Sequence, residues 1–426
     1  MRHYTFPEGF LWGAATSSHQ VEGNNTRNDW WDWEVQGKVP ERSGSACRHY
    51  ELFERDFDLA KRLGHNAHRL SVEWSRIEPL PGEWNEKELE HYRQVVLALR
   101  ERGIEPVVTL HHFTNPIWFV RLGGWESAQS IYHFERYVHK IAAGLKDEVR
   151  FWITINEPLV LIYHGYLRGE WPPGEKPAMI IRVFRNLMLA HDRAYAVLHG
   201  VYQKAGRPKP MVGLAQNIPY YAPCRRFSIP DRLPVFVNNL FTVQCFFKSL
   251  LGGMLYMPGL IRERLPWKPS LDFIGLNYYT REFVHFKGLR FPAILGELCS
   301  KTHHWDVGYR NEMGWESFPE GLYRVLLALK WFKLPVMITE NGTCASDDRR
   351  RWEYLSAHIQ AMARAMEKGV PVLGYLCWSL LDNFEWARGF GPRFGLIEVD
   401  YKTQSRRIRP SADRFSEICR GNAIDI

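Results

Sequence analysis

The 426-residue sequence lacks the patterns that mark several large protein classes. Its cysteines are odd in number and never form CxxC, so neither a disulfide framework nor a zinc site is expected; they are Cys47, Cys224, Cys245, Cys299, Cys344, Cys377 and Cys419. No apolar run reaches the roughly 20 residues that cross a bilayer, and the N-terminus has no signal-peptide run. We therefore expect buried thiols in a cytoplasmic protein that makes no membrane contact.

A one-sided charge distribution is also missing. Lys and Arg number 55 against 47 Asp and Glu, a net charge of +8, but the two signs are interleaved. The tight basic clusters, at residues 349–351 and 406–409, follow acidic residues or lie near the C-terminus. Because a nucleic-acid site normally shows a basic stripe, no nucleic-acid partner is expected. No low-complexity linker divides the chain, so residues 1–426 are predicted to form a single domain.

What the sequence does contain is an alternation of short apolar runs with longer segments of helical periodicity. Eight runs predict strands at residues 10–15, 66–72, 106–110, 151–155, 211–216, 272–276, 335–339 and 372–377. Helices are predicted between them, for instance at 51–63, 85–102, 127–145, 319–332 and 350–368, and Gly64, Gly103 and Gly369 mark helix ends. Eight such units favour an α/β fold in the form of a (β/α)8 TIM barrel.

A doubly wound sheet is the alternative, and it would need a nucleotide fingerprint. The only similar segment, GFGPRFG at residues 389–395, is not GxGxxG and follows no strand-to-helix turn. In a barrel, the active site lies at the C-terminal ends of the strands. The polar and aromatic residues that lie on or after the predicted strands are Gln20, Arg69, Glu73, His112, Asn156, Glu157, Asn217, Asn277, Tyr279, Glu340 and Trp378.

Two carboxylates stand out among these residues. Glu157 lies in ITINEP and Glu340 in MITENG, each at the end of an apolar strand. Buried ion pairs are one explanation, but desolvating a carboxylate is costly and two separate compensations would be needed. Paired carboxylates in a polar and aromatic pocket are typical of glycoside hydrolysis. Metal-dependent hydrolysis is less well supported, because no HExxH is present and the neighbouring residues of the pairs His111–His112 and His303–His304 point in divergent directions if extended.

Aromatic residues agree with a sugar site. Trp side chains stack on the apolar faces of pyranose rings, and WSLLDNFEWARGF places Glu385 beside Trp386. A Trp-rich core with a solvated Glu explains this segment equally well when it is taken alone. Trp171, Trp305 and Trp315 are candidates for the aglycone entrance, with packing roles as the alternative.

Eight ordered motifs resemble family 1 of the glycoside hydrolases, the β-glucosidase and β-galactosidase family. They are FPEGFLWGAATSSHQVEG, NAHRLSVEWSRIEP, TLHHFTNPIWF, WITINEP, FIGLNYYTRE, MGWESFPEGL, MITENG and GYLCWSLLDNFEWARGFGPRFGLIEVDY. The resemblance implies that Glu157 is the general acid/base and Glu340 the nucleophile, with Asn277 and Tyr279 beside it. It assigns the glycone sugar to Gln20, His112, Asn156, Trp378, Glu385 and Trp386, and it implies no cofactor and no metal. Arg69, if it faces Glu340, would favour the ionised nucleophile.

The expected activity is a retaining hydrolysis of β-D-glucosides, with β-galactosides and β-fucosides as further substrates. The carboxyl groups are then expected about 5–5.5 Å apart. The substrate would be a small β-glycoside or short oligosaccharide. Intact Glu385 and Trp386 argue against a 6-phospho-β-glycosidase, and Glu157 argues against a thioglucosidase, which carries Gln there. A catalytically silent sugar-binding relative stays an alternative, and the sequence does not distinguish hydrolysis from transglycosylation. LHHFT departs from the common family pattern at His111, Phe113 and Thr114.

Overall fold

A computed structural model describes residues 2–266 and 268–426 of the chain. Eight parallel strands close into a barrel in which every strand pairs with its neighbours in sequence. The prediction of a (β/α)8 barrel is therefore confirmed. The strands are β1 (Leu11–Ala15), β2 (Ala67–Ser71), β3 (Glu105–His111), β4 (Phe151–Asn156), β5 (Met211–Asn217), β6 (Phe273–Asn277), β7 (Val336–Asn341) and β8 (Val372–Trp378).

One long helix follows each strand. These helices are α1 (His49–Arg62), α2 (Glu86–Glu101), α3 (Ser130–Leu145), α4 (Ile180–Lys204), α5 (Ile229–Asn239), α6 (Pro319–Leu329), α7 (Asp348–Glu367) and α8 (Pro410–Gly421). A π-helical turn, Leu240–Cys245, continues α5 into a further helix, Phe246–Gly252. Shorter helices lie in the connections at Ser18–Val21, Asp29–Val35, Trp74–Ile77, Ile117–Arg121 and Pro158–Leu161.

Capping residues set the helix boundaries close to those predicted. The Asn85 side chain accepts a hydrogen bond from the backbone N–H of Glu88, so α2 begins one residue after the cap. Asp347 caps α7 in the same way, through the N–H of Arg349. The predicted stop glycines Gly64, Gly103 and Gly369 all have positive φ, which glycine adopts without a Cβ penalty.

Apolar side chains fill the barrel interior and the layer between strands and helices. The interior cluster contains Val107, Ile153, Phe273, Met337 and Leu376, all fully buried. A larger cluster lies between the strands and the surrounding helices and holds most of the buried tryptophans. Because both faces of the strands are buried, their sequences read as continuous apolar runs. Polar residues such as Asn156, Asn217 and Asn277 end several strands, on the side where the active site is expected.

Short strands outside the barrel complete the fold. His3–Thr5 pairs with Ala423–Asp425, so the two ends of the chain meet. Two hairpins lie in the connections, Met254–Met257 with Ile261–Arg264 and Ile397–Val399 with Arg406–Ile408. Above β5 and β6, the strands Tyr220–Pro223, Arg281–His285 and Glu297–Leu298 form a three-stranded sheet, which we call the loop sheet.

The cysteines differ from expectation at one place. Cys224 and Cys299, 75 residues apart in sequence, are joined as a disulfide on the loop sheet, so the prediction of free thiols throughout was wrong for this pair. The sequence separation conceals their contact, since no short spacing signals it. The five other cysteines are free and buried, as predicted. Among the described residues, no helix is long and apolar enough to cross a membrane.

Candidate active site

The two predicted carboxylates both lie at the C-terminal mouth of the barrel. Glu340 is the fifth residue of β7, and Glu157 follows β4 directly, at the start of the helix Pro158–Leu161. Glu157 has a φ of 45°, an uncommon value for a residue with a Cβ, while its N–H donates to the carbonyl of Ala215 on β5. Glu157 is 5% exposed and Glu340 is 3% exposed, so bulk water screens neither charge effectively.

Glu340 accepts a hydrogen bond at each carboxyl oxygen. Arg69 on β2 donates from Nη1 to Oε1 at 2.5 Å, and the Tyr279 hydroxyl donates to Oε2 at 2.5 Å. The guanidinium is 1% exposed and is itself fixed by Thr109, which accepts from its Nε at 3.0 Å. A buried cation and a hydroxyl donor both favour the ionised form of this carboxyl. The predicted contacts of Arg69 and Tyr279 with Glu340 are thus present in the structure.

Amide side chains connect the two carboxylates. Asn277 Nδ2 donates to Glu157 Oε1 at 2.7 Å and to Asn156 Oδ1 at 3.2 Å. Asn156 Oδ1 also accepts from Arg69 Nη2 at 2.6 Å, which links the network to Glu340. The Thr339 hydroxyl donates to Asn277 Oδ1 at 2.6 Å and so fixes the orientation of that amide. Residues from β2, β4, β6 and β7 therefore form one connected polar cluster.

The carboxyl groups have different electrostatic surroundings. Burial and the negative charge of Glu340 raise the pKa of Glu157 to about 8, and the hydrogen bond from Asn277 opposes this only in part. Burial also raises the pKa of Glu340, but the charge of Arg69 and the hydrogen bond from Tyr279 act against it. Since Glu340 has the direct cationic contact, it is the carboxyl that loses its proton first. Glu157 then holds a proton near neutral pH.

A third carboxyl at the mouth, Glu385, is partly buried. Gln20 Nε2 donates to the Phe384 carbonyl at 2.8 Å and to Asn383 Oδ1 at 3.0 Å, with Glu385 Oε2 at 3.5 Å. Burial, followed by the charge of Glu340, raises the pKa of Glu385 to about 8, while hydrogen bonds from Trp378 and Gln20 lower it. The predicted residues Gln20, Trp378 and Glu385 therefore meet in one polar group.

Aromatic rings form a wall next to this group. The His112 ring is nearly parallel to both Trp378 and Trp386, with centroids 6.0 and 6.1 Å away. His112 Nε2 accepts from Asn156 Nδ2 at 3.3 Å, whereas the neighbouring His111 turns away and bonds Asn115. The divergence predicted for this histidine pair is confirmed. The wall thus joins the polar cluster of the two carboxylates to the group around Glu385.

Some strand-end residues lie outside this arrangement. Glu73 is buried in a separate cluster, where it accepts from Ser18 and Thr114. Asn217 pairs in register with Asn277, but within residues 2–266 and 268–426 its side chain has no hydrogen bond to either carboxylate. Trp305 is 77% exposed, and Trp171 packs against Trp386 at 5.9 Å. Two of the three entrance candidates therefore contact site residues, Trp171 through Trp386 and Trp315 through Tyr279 at 5.1 Å.

Sequence reasoning missed several residues that shape the site. His19 stacks on Trp386 with centroids 5.8 Å apart, and its Nε2 lies 2.7 Å from the buried carboxylate of Glu34. Trp30 contacts Trp386 at 4.6 Å. Asn383 holds the Gln20 amide. These residues lie in connections several residues from a strand end, so the rule that located the other candidates does not reach them.

Comparison with known proteins decides the family. Residues 2–424 match the model of glycosyl hydrolase family 1. The chain belongs to this family. It is 33% identical to beta-glucosidase A of Thermotoga maritima, with 99% of each chain covered, and 34% identical to a beta-galactosidase of Sulfolobus acidocaldarius, with 99% of this chain and 96% of the relative covered. The solved beta-glycosidase of Pyrococcus horikoshii superposes with a TM-score of 0.92 at 40% identity, covering 100% of this chain and 97% of the other.

Family 1 membership makes the chain a glycosyl hydrolase of the β-glycosidase type. The Thermotoga maritima beta-glucosidase has been solved in complex with glucoimidazole and with galacto-hydroximolactam, at 33% identity to this chain. In this family 1 chain, the barrel mouth offers what glycoside hydrolysis needs: one proton-bearing carboxyl, one ionisable carboxyl held by a cation, and a buried polar and aromatic surface for a sugar.

Proposed function

We propose that the chain is a retaining β-glycosidase that acts on terminal β-D-glucosyl residues, with β-D-galactosyl and β-D-fucosyl residues as further substrates. Glu340 attacks the anomeric carbon, and Glu157 is the general acid and base. The substrate is a small β-glycoside or a short oligosaccharide. The observation that carries this proposal is the contrast between Glu340, bonded by Arg69 and Tyr279, and Glu157, whose pKa is raised to about 8.

In the first step, the ionised Glu340 forms a bond to the anomeric carbon while Glu157 gives its proton to the departing aglycone oxygen. The glycosyl-enzyme ester neutralises Glu340, which removes the charge that helped to raise the pKa of Glu157. Glu157 is then ionised and takes a proton from the incoming water. Water attacks the anomeric carbon from the side the aglycone left, and Glu340 departs as a carboxylate. Two inversions give net retention.

Substitution of each carboxyl separates the two roles. Glu340→Gln should lower kcat for an aryl β-glucoside by about 10⁴-fold or more, because no nucleophile is left. Glu157→Gln should keep a fast first step for a dinitrophenyl leaving group, which needs little protonation, and lose the second step. Azide should then restore turnover of Glu157→Gln and yield the β-glycosyl azide. Normal activity of Glu340→Gln, or an α-configured initial product by NMR, would overturn the proposal.

The group around Glu385 is proposed to bind the glycone hydroxyls at C4 and C6. Gln20 and Trp378 supply hydrogen-bond donors, and Trp386 supplies a ring face for the sugar. The gluco- and galacto-configured ligands of the Thermotoga maritima relative are consistent with this breadth. In the described part of the chain, no Lys or Arg bonds Glu385, so nothing there compensates a phosphate at C6. A 6-phospho-β-glucoside should be hydrolysed far more slowly than the unphosphorylated substrate in parallel assays.

The domain organisation, the location, the partners and the acceptor are proposals of the same kind. We infer that residues 1–426 form one catalytic domain, which is supported by the family match over residues 2–424 and by the pairing of the two chain ends. A cytoplasmic location and the absence of nucleic-acid partners stay predictions.

Transglycosylation would use the same glycosyl-enzyme with a sugar acceptor in place of water, and a product assay with added acceptor distinguishes transglycosylation from hydrolysis.

A further inference from the structure

Three potential metal ligands meet on the loop sheet, away from the carboxylates. Cys224 follows the strand Tyr220–Pro223, and Cys299 follows Glu297–Leu298. Each is anchored to the central strand Arg281–His285 through its N–H, which donates to the carbonyl of Val284 or Phe283 at 2.9 Å. The N–H of His303 in turn donates to the Cys299 carbonyl at 2.9 Å. The backbone therefore fixes all three residues relative to one another.

The His303 ring is held in place beside the sulfurs. It lies parallel to Phe283 with a centroid distance of 3.6 Å and an angle of 17°, and the residue is 7% exposed. Its Nδ1 lies 3.7 Å from Cys224 Sγ. The three ligand atoms are all within 4.8 Å of one another. In a tetrahedral zinc site, with Zn–S near 2.3 Å and Zn–N near 2.0–2.1 Å, adjacent ligand atoms are about 3.5–3.8 Å apart.

We propose that Cys224, Cys299 and His303 bind a thiophilic metal ion, Zn²⁺ in the first place, when the disulfide is reduced. A dithiol reductant would give two electrons and two protons to the cystine and become a disulfide itself. The metal would then displace both thiol protons and bind two thiolates and one neutral imidazole. A Cα–Cα distance of 6.7 Å leaves room for the sulfurs to separate by side-chain rotation. Two thiolates and an imidazole are ligands that Zn²⁺ prefers.

The fourth position of such a site would face solvent. A cavity of about 680 Å³ is lined by Cys224 and His303 together with Arg281 and Phe283, and it has room for a water ligand. Three of the nearby guanidinium groups lie beside carboxylates: Arg225 pairs with Asp231 at 2.8 Å, Arg281 with Glu316 at 2.8 Å, and Arg226 lies 3.9 Å from Asp306. A fourth, that of Arg310, donates to the His303 carbonyl. The two thiolates of the reduced site would supply the negative charge that attracts a cation.

Metal and disulfide would fasten the same segment of the chain. Residues 299–316 run from Cys299 to Glu316, whose backbone N–H donates to the Thr280 hydroxyl at 2.8 Å. Trp315, one residue earlier, contacts Tyr279 at the barrel mouth. The cross-link thus holds the segment that supplies the aromatic ring nearest Tyr279. In a reducing environment a bound metal ion would keep this segment attached to the loop sheet.

Cobalt titration of the reduced, folded chain tests the proposal, because Co²⁺ bound by thiolates gives charge-transfer absorption that Zn²⁺ lacks. The chain is reduced under nitrogen, the reductant is removed, and free thiols are counted. We expect one Co²⁺ per chain with a thiolate charge-transfer band and tetrahedral d–d bands, displaced by Zn²⁺. Failure of the band to form in a chain whose two extra thiols have been counted would overturn the proposal, as would a disulfide that resists reduction in the folded protein.

Matched variants locate the ion. Cys224→Ser and Cys299→Ser should abolish the charge-transfer band, and His303→Ala should weaken Co²⁺ binding by about tenfold or more. Cys245→Ser, at a buried free thiol of the π-helical turn, is the control and should bind like wild type. If a serine variant does not fold, wild type alkylated after reduction replaces it and should lose the band. A band that persists after loss of either cysteine would place the metal elsewhere and contradict the assignment.

Discussion

At the scale of single residues, the proposed reaction depends on a difference between two carboxyls: Glu157 must hold a proton while Glu340 is ionised. Both are buried, and burial alone would raise both pKa values. Of the two carboxyls, Arg69 and Tyr279 hydrogen-bond that of Glu340, so the difference arises from which residues face each carboxyl. The sequence could predict this grouping because each residue lies on a barrel strand or shortly after one. It could not predict the hydrogen bonds between Asn277, Asn156 and Arg69, which depend on side-chain geometry.

Tyr279→Phe tests the electrostatic part of this division. Losing the hydroxyl removes a donor that favours ionised Glu340, so the acidic limb of the kcat/KM profile should move to higher pH. The basic limb reports Glu157, whose raised pKa of about 8 means that activity falls as pH rises through that value. We expect kcat/KM at neutral pH to fall about 10- to 100-fold. An acidic limb that stays in place would show that Tyr279 does not influence the nucleophile.

Asn156 is expected to donate to the sugar 2-hydroxyl, since its Nδ2 has only a long contact with His112 at 3.3 Å. Such a contact strengthens in the transition state, so Asn156→Ala should lower kcat for a glucoside by about 100-fold. A 2-deoxyglucoside, which lacks the hydroxyl, serves as the matched control substrate. It should lose much less with the same variant. Equal losses for both substrates would assign Asn156 a purely structural role through Arg69.

At the scale of elements, the barrel strands could be predicted from the sequence, whereas the loop sheet and its disulfide could not. All eight barrel strands lie within two residues of their predicted limits, because strands buried on both faces read as apolar runs. The loop sheet has strands of two to five residues whose partners lie in distant connections, so local sequence gives no pairing signal. The disulfide lies in that sheet and was missed for the same reason.

Gly342, the glycine of MITENG, follows β7 directly and allows the chain to pass close to Trp378. A Cβ on Gly342 would lie 1.8 Å from the backbone oxygen of Trp378, so the chain after β7 approaches the end of β8 more closely than any side chain permits. Gly342→Ala should displace Trp378, lower the melting temperature and reduce kcat/KM for glucosides. The measurement is thermal unfolding together with kinetics on an aryl β-glucoside.

Gly200→Ala is the matched control for that substitution. Gly200 lies within α4 with no atom near its Cβ position, so alanine should be neutral or stabilise the chain by up to about 1 kcal/mol through its helix propensity. Activity should be unchanged. If Gly342→Ala and Gly200→Ala behaved alike, the close approach at Trp378 would have no functional importance.

At the scale of the whole molecule, the chain ends are joined beside the barrel. Asn422 Oδ1 accepts from Trp12 Nε1 at 2.9 Å, and its Nδ2 donates to the Phe6 carbonyl at 2.9 Å. Trp12 is 1% exposed, so its indole N–H would lose its partner if Asn422 were removed. Asn422 also ends α8 with a φ of 48°, a conformation that favours Asn or Gly.

Two substitutions separate these contributions of Asn422. Asn422→Gly removes the hydrogen bonds at a cost of about 1–3 kcal/mol but tolerates the backbone conformation, whereas Asn422→Ala also introduces strain there. Both should lower the melting temperature, the alanine variant more, with KM and kcat at 25 °C unchanged. An unaltered melting temperature in both variants would mean that joining the chain ends does not stabilise the barrel.

The central claim is that Glu340 forms a covalent bond to the sugar. The most direct measurement is mass spectrometry of the protein after reaction with a 2-deoxy-2-fluoro-β-glucoside carrying a dinitrophenyl leaving group, which slows release of the glycosyl-enzyme more than its formation. We predict a mass increase of one fluorosugar per chain, located on the peptide that contains Glu340 and absent in Glu340→Gln. A chain that turns over glucosides but never gains this mass, or gains it on another residue, would contradict the account.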